Sequence, residues 1–132
     1  MDYVSTRIIT NDIKRLVRFY ANVTGLPPVW RTEDFAEFVT PSCTLAIGSK
    51  RTMDRFGAGA ARPGENHSAI IEFRVRDVDE EYRKLAEFVG DFVRPPTTQP
   101  WGNRSILFRD PDGNLINFFT PVSAEAIKRY EG

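Results

Sequence analysis

The chain repeats itself at an interval too regular to leave the fold free. Asn11-Asp12 opens a helical pattern carried by Ile13, Leu16, Val17 and Tyr20, the one-face spacing of an amphipathic helix. Asp77 opens a second, carried by Val78, Tyr82 and Leu85. Both aspartates suit an N-cap, and Glu80 stands where a capping-box acid reaches back. Gly25 and Gly90 are the expected left-handed stops. Asp12 to Asp77 and Gly25 to Gly90 share an offset of 65 residues, and Pro27-Pro28 and Pro95-Pro96 follow each stop. Thr44-Leu45-Ala46-Ile47 matches Asn114-Leu115-Ile116-Asn117 at an offset of 70, so the second half carries about five extra residues. Two copies of a β-α-β-β-β unit are predicted, with helices starting near Asp12 and Asp77.

The last strand is introduced by Asp110-Pro111-Asp112-Gly113-Asn114. Proline presets its own φ, aspartate bonds nearby backbone and glycine takes the positive φ that closes a hairpin. This turn determines which residues of Leu115–Phe119 face inward, Asn117 among them.

With 132 residues, 41% of them hydrophobic, the chain can bury a core and is short for two ordinary domains. The 18 basic and 18 acidic residues balance without a long single-sign run, which disfavours nucleic acid or an anionic membrane as main partner. No apolar stretch approaches the ~20 residues of a membrane-spanning helix, and the N-terminus lacks a signal-peptide core. The single cysteine fits a reducing cytoplasm. Residues 48–67, rich in Gly, Arg and Pro, read as a linker; Gly57-Ala58-Gly59-Ala60 lacks the Lys-Ser/Thr ending of a phosphate loop.

Asn11-Asp12 after a strand, Phe19-Tyr20 within the helix, Thr24-Gly25-Leu26 and the closing Asp110-Pro111-Asp112-Gly113-Asn114 together resemble the glyoxalase/bleomycin-resistance/dioxygenase (vicinal oxygen chelate) superfamily over residues 3 to 122. Trp101-Gly102-Asn103-Arg104 resembles a subset of antibiotic-resistance binding proteins. The resemblance implies an α+β fold of two βαβββ modules forming a cupped mixed sheet. As one glyoxalase/bleomycin-resistance-like domain over 1–132, it would comprise module one (3–49), linker 50–66, module two (67–122) and tail 123–132. The tail from Ser123 to Tyr130 reads as a short capped helix packed on the outside or on a partner subunit.

Enzymes of this superfamily hold a divalent metal with ligands from the first and last strand of each module. Those positions are expected at Ser5, Ile47, Ile70 and Asn117, clustered in space. Two weak neutral oxygens and two hydrocarbons depart from the His and carboxylate donors such a site wants. His67 is the sole histidine, so a two-His-one-carboxylate iron site cannot be built within a chain. It reads as a surface or strand-edge residue, with ligand contact the alternative. Cys43 has no histidine nearby in sequence and reads as a small hydrophobe. No metal and no cofactor are expected, although a carboxylate site using Glu72 stays open.

Strand alternation fills the cup differently. Ile70, Glu72 and Arg74 would face it while Ile71, Phe73 and Val75 pack beneath helices. Ser5, Arg7 and Ile9 would face it from the first strand, and Leu115, Asn117 and Phe119 from the last. The expected ligand-binding set is Arg7, Glu72, Arg74, Trp101, Arg104 and Asn117. Trp101 either stacks on a planar ligand or seals the sheet end; Arg104 either grips a carboxylate or solvates its strand. The cup charges either hold a ligand or pair with one another. Trp30, Phe35, Phe38, Phe56 and Phe108 either line the cup or belong to the core.

The expected function is metal-free binding and sequestration of a small organic molecule, an antibiotic or aromatic natural product, by a cytoplasmic homodimer. The alternative is an enzyme of the same superfamily, lyase, isomerase or dioxygenase-like, with a non-standard metal site or Glu72 as general base. A third reading is a scaffold whose cup has lost its function.

Overall fold

Asp12 ends one strand and begins one helix because its carboxylate accepts the Arg15 N–H at 3.1 Å, satisfying a backbone donor the helix leaves orphaned. A computed structural model describes residues 1–131, in two compact units. The first comprises Met1–Asn66 with the Asp110–Gly113 turn. In it β1 (Ser5–Thr10) leads into α1 (Ile13–Thr24), followed by β2 (Val29–Thr32), β3 (Phe35–Val39) and β4 (Thr44–Ser49). The sheet order is β1-β4-β3-β2, with β1 parallel to β4 and the other pairs antiparallel. Gly25 stops α1 at φ +71°, its N–H donating to the Ala21 carbonyl. The stripe Leu16, Val17, Tyr20 and Val23 is buried and α1 lies against β4, so the core forms between α1 and the sheet face carrying Ala36, Phe38, Leu45 and Ile47.

The Asp110–Gly113 turn closes as its chemistry demands. The Asp110 carboxylate accepts the Asp112 N–H at 2.9 Å, its carbonyl accepts the Gly113 N–H at 3.0 Å, and Gly113 takes φ +88°. The buried Tyr20 hydroxyl donates to Asp110 Oδ2 at 2.6 Å. Burial, then the negative charge of Asp110, pushes the Tyr20 phenol well above its usual range.

The second unit comprises His67–Arg109 and the described residues from Asn114. It runs β5 (Ile70–Arg74), α3 (Val78–Leu85), β6 (Phe92–Thr98), β7 (Asn103–Arg109), β8 (Leu115–Pro121) and α4 (Ala124–Arg129). Its order, β5-β8-β7-β6 with β5 parallel to β8, repeats the first topology strand for strand. Asp77 caps α3 by accepting the Asp79 and Glu80 N–H groups. Beneath α3 the rings of Phe73, Phe108 and Phe118 meet edge to face at 5.1–5.5 Å. Pro95-Pro96 sit in β6, an end strand with a broken register, where a missing N–H costs no ladder bond.

Two expectations need correction. Gly90 is not a left-handed stop. Regular helix ends at Leu85, where the Phe88 N–H turns back three residues to the Leu85 carbonyl and Val89 is drawn into the core. Glu80 does not close a capping box; its carboxylate lies 3.3 Å from Lys84 Nζ, one helical turn on. The linker segment contains a 3₁₀ turn at Lys50–Thr52 and α2 at Met53–Gly57. The tail is a short capped helix that reaches back to its own sheet. Ser123 caps α4, and the Tyr130 ring lies 5.2 Å from Phe119 of its own sheet. Among the described residues no helix is long and apolar enough to cross a membrane.

Candidate functional site

Directly paired residues in a sheet point to the same face. On the face turned away from α1, β1 therefore presents Ser5, Arg7 and Ile9, β4 presents Thr44, Ala46 and Gly48, and β3 presents Phe35, Glu37 and Val39. Arg7 dominates this face. Its guanidinium carbon lies 5.0 Å from the Phe35 ring centroid and 4.9 Å from that of Phe56 on α2, a cation in contact with two aromatic rings. Among the described residues no carboxylate forms an ion pair with it. The one acid in its row, Glu37, is held by Arg31 Nε at 2.6 Å. The floor is low because Ala46 and Gly48 carry almost no side chain.

The face turned away from α3 is built from the same positions and is closed differently. Glu72 and Asn117 are direct partners, and Asn117 Nδ2 donates to Glu72 Oε2 at 2.8 Å. The Asn117 amide oxygen is enclosed without a hydrogen-bond partner among the described residues. Arg74 Nη1 donates to the Tyr130 carbonyl at 2.8 Å, and its guanidinium lies 5.7 Å from the Tyr130 ring. Tyr130 thus occupies both Arg74 and Phe119.

The six expected ligand residues fall in both units and, within the second, on both faces of its sheet. Arg7 stands in the first unit; Glu72, Arg74 and Asn117 share one face of the second. Trp101 lies in the β6–β7 turn and is 65% exposed. Arg104 is turned the other way: it pairs with Thr120, which shares the α3 side with Phe118 and Ile116. There its guanidinium makes a two-pronged contact with Asp79, at 2.9 and 3.1 Å, and holds that carboxyl below its usual range. The single-residue parity between Asn103 and Arg104 is the reason. Of the candidate aromatics, Phe38 and Phe108 are core, whereas Phe35 and Phe56 flank Arg7. Trp30 is part-exposed on the end strand β2, His67 is exposed, and Cys43 packs at the mouth of β4 near the Val4 carbonyl.

Register also corrects one metal position. Ser5 pairs with Thr44 and Ile70 with Leu115, so the equivalent of Asn117 in the first unit is Ala46, not Ile47. The strands match at an offset of 71, and a slip of one residue exchanges the two faces. Ile47 is fully buried on the α1 side. The revised set, Ser5, Ala46, Ile70 and Asn117, offers one hydroxyl and one amide oxygen, the amide nitrogen being bonded to Glu72. Among the described residues no three His, Cys, Asp or Glu gather as a metal would require. These donors do not fit a catalytic transition-metal ion.

A family model described as "Glyoxalase/Bleomycin resistance protein/Dioxygenase superfamily" matches residues 2–118. The chain belongs to that superfamily. Among characterised and uncharacterised relatives, it is 32% identical over 125 residues to the uncharacterized protein YraH of Bacillus subtilis (strain 168), covering 90% of this chain and 98% of that one. It is 29% identical over 123 residues to the metallothiol transferase FosB of Shouchella clausii (strain KSM-K16), covering 92% and 81%. A solved superfamily member from Sphaerobacter thermophilus DSM 20745 is 29% identical and superposes with a TM-score of 0.69, covering 91% of this chain and 97% of that one. The α+β architecture of paired four-stranded mixed sheets is the superfamily's fold.

Proposed function

We propose that this superfamily member binds a small organic molecule without a catalytic metal, in the manner of bleomycin-resistance-type proteins. One observation carries the reading: the strand positions from which superfamily enzymes draw metal ligands hold Ser5, Ala46, Ile70 and Asn117. Removing the donors while keeping an exposed, partly aromatic sheet face leaves recognition without metal chemistry. We further take the working unit to be a cytoplasmic homodimer, because each sheet ends on strands with an unpaired edge. Light scattering that finds a monomer at micromolar concentration would contradict the dimer.

The enzymatic alternative draws on the relationship to a metallothiol transferase and on Glu72, whose carboxylate is oriented by Asn117. A carboxylate so placed is positioned to take a proton from a bound substrate. Metal analysis of protein purified without an affinity tag separates the readings. Substoichiometric divalent metal, with ligand-induced thermal stabilisation unchanged by chelators, is expected. Stoichiometric nickel, zinc, iron or manganese, or an activity lost to chelators and restored by a divalent ion, would overturn the proposal.

A further inference from the structure

We infer that the ligand is a planar aromatic carboxylate, and that it is taken by Arg7 between Phe35 and Phe56 on the first sheet. The inference rests on the metal-free binding reading and gives it a place and a chemical class. A guanidinium offers five N–H donors in one plane and two flat faces. At Arg7 two ring centroids lie 5.0 and 4.9 Å from the guanidinium carbon, while no carboxylate among the described residues forms an ion pair with it. A structural arginine is arranged in the reverse way here: Arg104 and Arg51 each bind an aspartate through two nitrogens. What Arg7 lacks is an acceptor with two oxygens in one plane.

The surroundings select the rest of the ligand. Ala46 and Gly48 lie beside and beyond Arg7 on the same face, and a methyl added to Gly48 would come 3.7 Å from Arg7 Cδ. Both are buried, and the space above Gly48 is filled by the Thr52 hydroxyl at 3.0 Å and Ile9 Cδ1 at 3.4 Å, so a bound ring would rest on Arg7, Phe35 and Phe56 and not on the strand backbone. Phe56 is 74% exposed, an expensive position for a phenyl group unless something covers it. It rides on α2, a helix of five residues. On its other side that segment borders a cavity of about 360 Å³ lined by Asn11, Lys50, Met53, Asp54, Arg62 and Glu65. Exposed as it is, the Phe56 ring would move from the guanidinium onto the open face of a bound ring. Phe56 thus serves as the movable wall and Phe35 as the fixed one. The carboxylate meets the guanidinium edge, and the neighbouring Glu37, held by Arg31, adds little repulsion.

Calorimetric titration of the full chain with 2-naphthoate, and with neutral 2-naphthamide in parallel, tests this. One naphthoate per chain is expected, with the amide at least tenfold weaker. Arg7→Gln should weaken naphthoate at least tenfold and Phe56→Ala about threefold to tenfold. Arg104→Gln, on the opposite face of the other sheet, should leave affinity unchanged. Arg7 and Phe56 are exposed, and circular dichroism verifies that each variant folds. No binding at millimolar naphthoate, equal binding of the amide, or affinity unaltered in Arg7→Gln would each overturn the inference. The metal analysis above fails or succeeds independently, since a metal-free protein that ignores naphthoate loses only this assignment.

Discussion

The two sheets are copies of one topology, yet the faces turned from their helices are finished in opposite ways. On the second, Glu72 is bonded by Asn117, Arg74 by the Tyr130 carbonyl, and Phe119 is covered by the Tyr130 ring. On the first, Arg7 lies against two aromatic rings without an ion-pair partner among the described residues, and the row it shares with Ala46 ends in Glu37, which Arg31 holds. The second unit ties the charged groups of this face to its own chain, leaving the Asn117 amide oxygen as the enclosed acceptor without a partner among the described residues. The first leaves a cation with unfilled donors. Two faces of one topology thus differ in whether their arginine is tied down by the chain's own groups.

The largest effect that probes this contrast concerns two glycines. A Cβ at Gly102, where φ is +96°, would stand 2.0 Å from Ser123 Oγ, so Gly102→Ala must push α4 off its sheet. A loss of about 3 kcal/mol or more is expected in urea unfolding. At Gly48 the nearest atom is the Thr52 hydroxyl oxygen at 3.0 Å, a side chain able to yield, and Gly48→Ala should cost under ~1 kcal/mol. Equal losses would show the second face to be no more committed than the first.

Next in size is Tyr20→Phe, which removes a 2.6 Å donor from the buried Asp110 carboxylate and should cost about 2 kcal/mol. The Tyr20 phenol titrates higher in the folded state than in the unfolded chain. Its contribution is therefore complete below the unfolded tyrosine value of roughly 10 and is lost as pH rises toward the folded one. Wild type should lose stability above about pH 10, and the variant should lack that part of the decline.

Tyr130→Ala uncovers Phe119 and releases the ring stacked near Arg74, at a cost of about 1 kcal/mol. It should also create a second, weaker naphthoate site in calorimetry. Failure to gain one would mean that the tail is not what distinguishes the faces. The smallest effect is at Arg104→Gln. Asp79 is held below its usual range chiefly by the hydrogen bond from Arg104, so the contribution exists above the unfolded Asp pKa and fades as pH falls through the folded value. Wild type and variant should differ slightly in melting temperature at neutral pH and converge in acid.

Local chemistry was legible in the residues. Asp12, Asp77, Gly25 and the Asp110–Gly113 turn act within four residues of themselves, and each behaves as its type requires. So does the alternation of Ile71 and Phe73 against Glu72 and Arg74, which separates apolar from charged along β5. What escaped depends on distance or parity. An offset of 70 in place of 71 looks trivial in a row of letters, but it moved Ile47 to the wrong side of a sheet. Arg104 and Asp79 are 25 positions apart, and nothing in either neighbourhood foretells the pairing. Phe35 and Phe56 were indistinguishable from Phe38 and Phe108 as letters; only the fold sorts core rings from exposed ones.

The Tyr20–Asp110 bond joins residues 90 positions apart. Closing a loop of that length costs roughly 4 kcal/mol of chain entropy, more than one such bond returns. It cannot start folding and must form after the hairpins have drawn the chain together. Tyr20→Phe should therefore leave the refolding rate nearly unchanged and speed unfolding, which makes this phenol a clasp whose action is on how long the native state lasts.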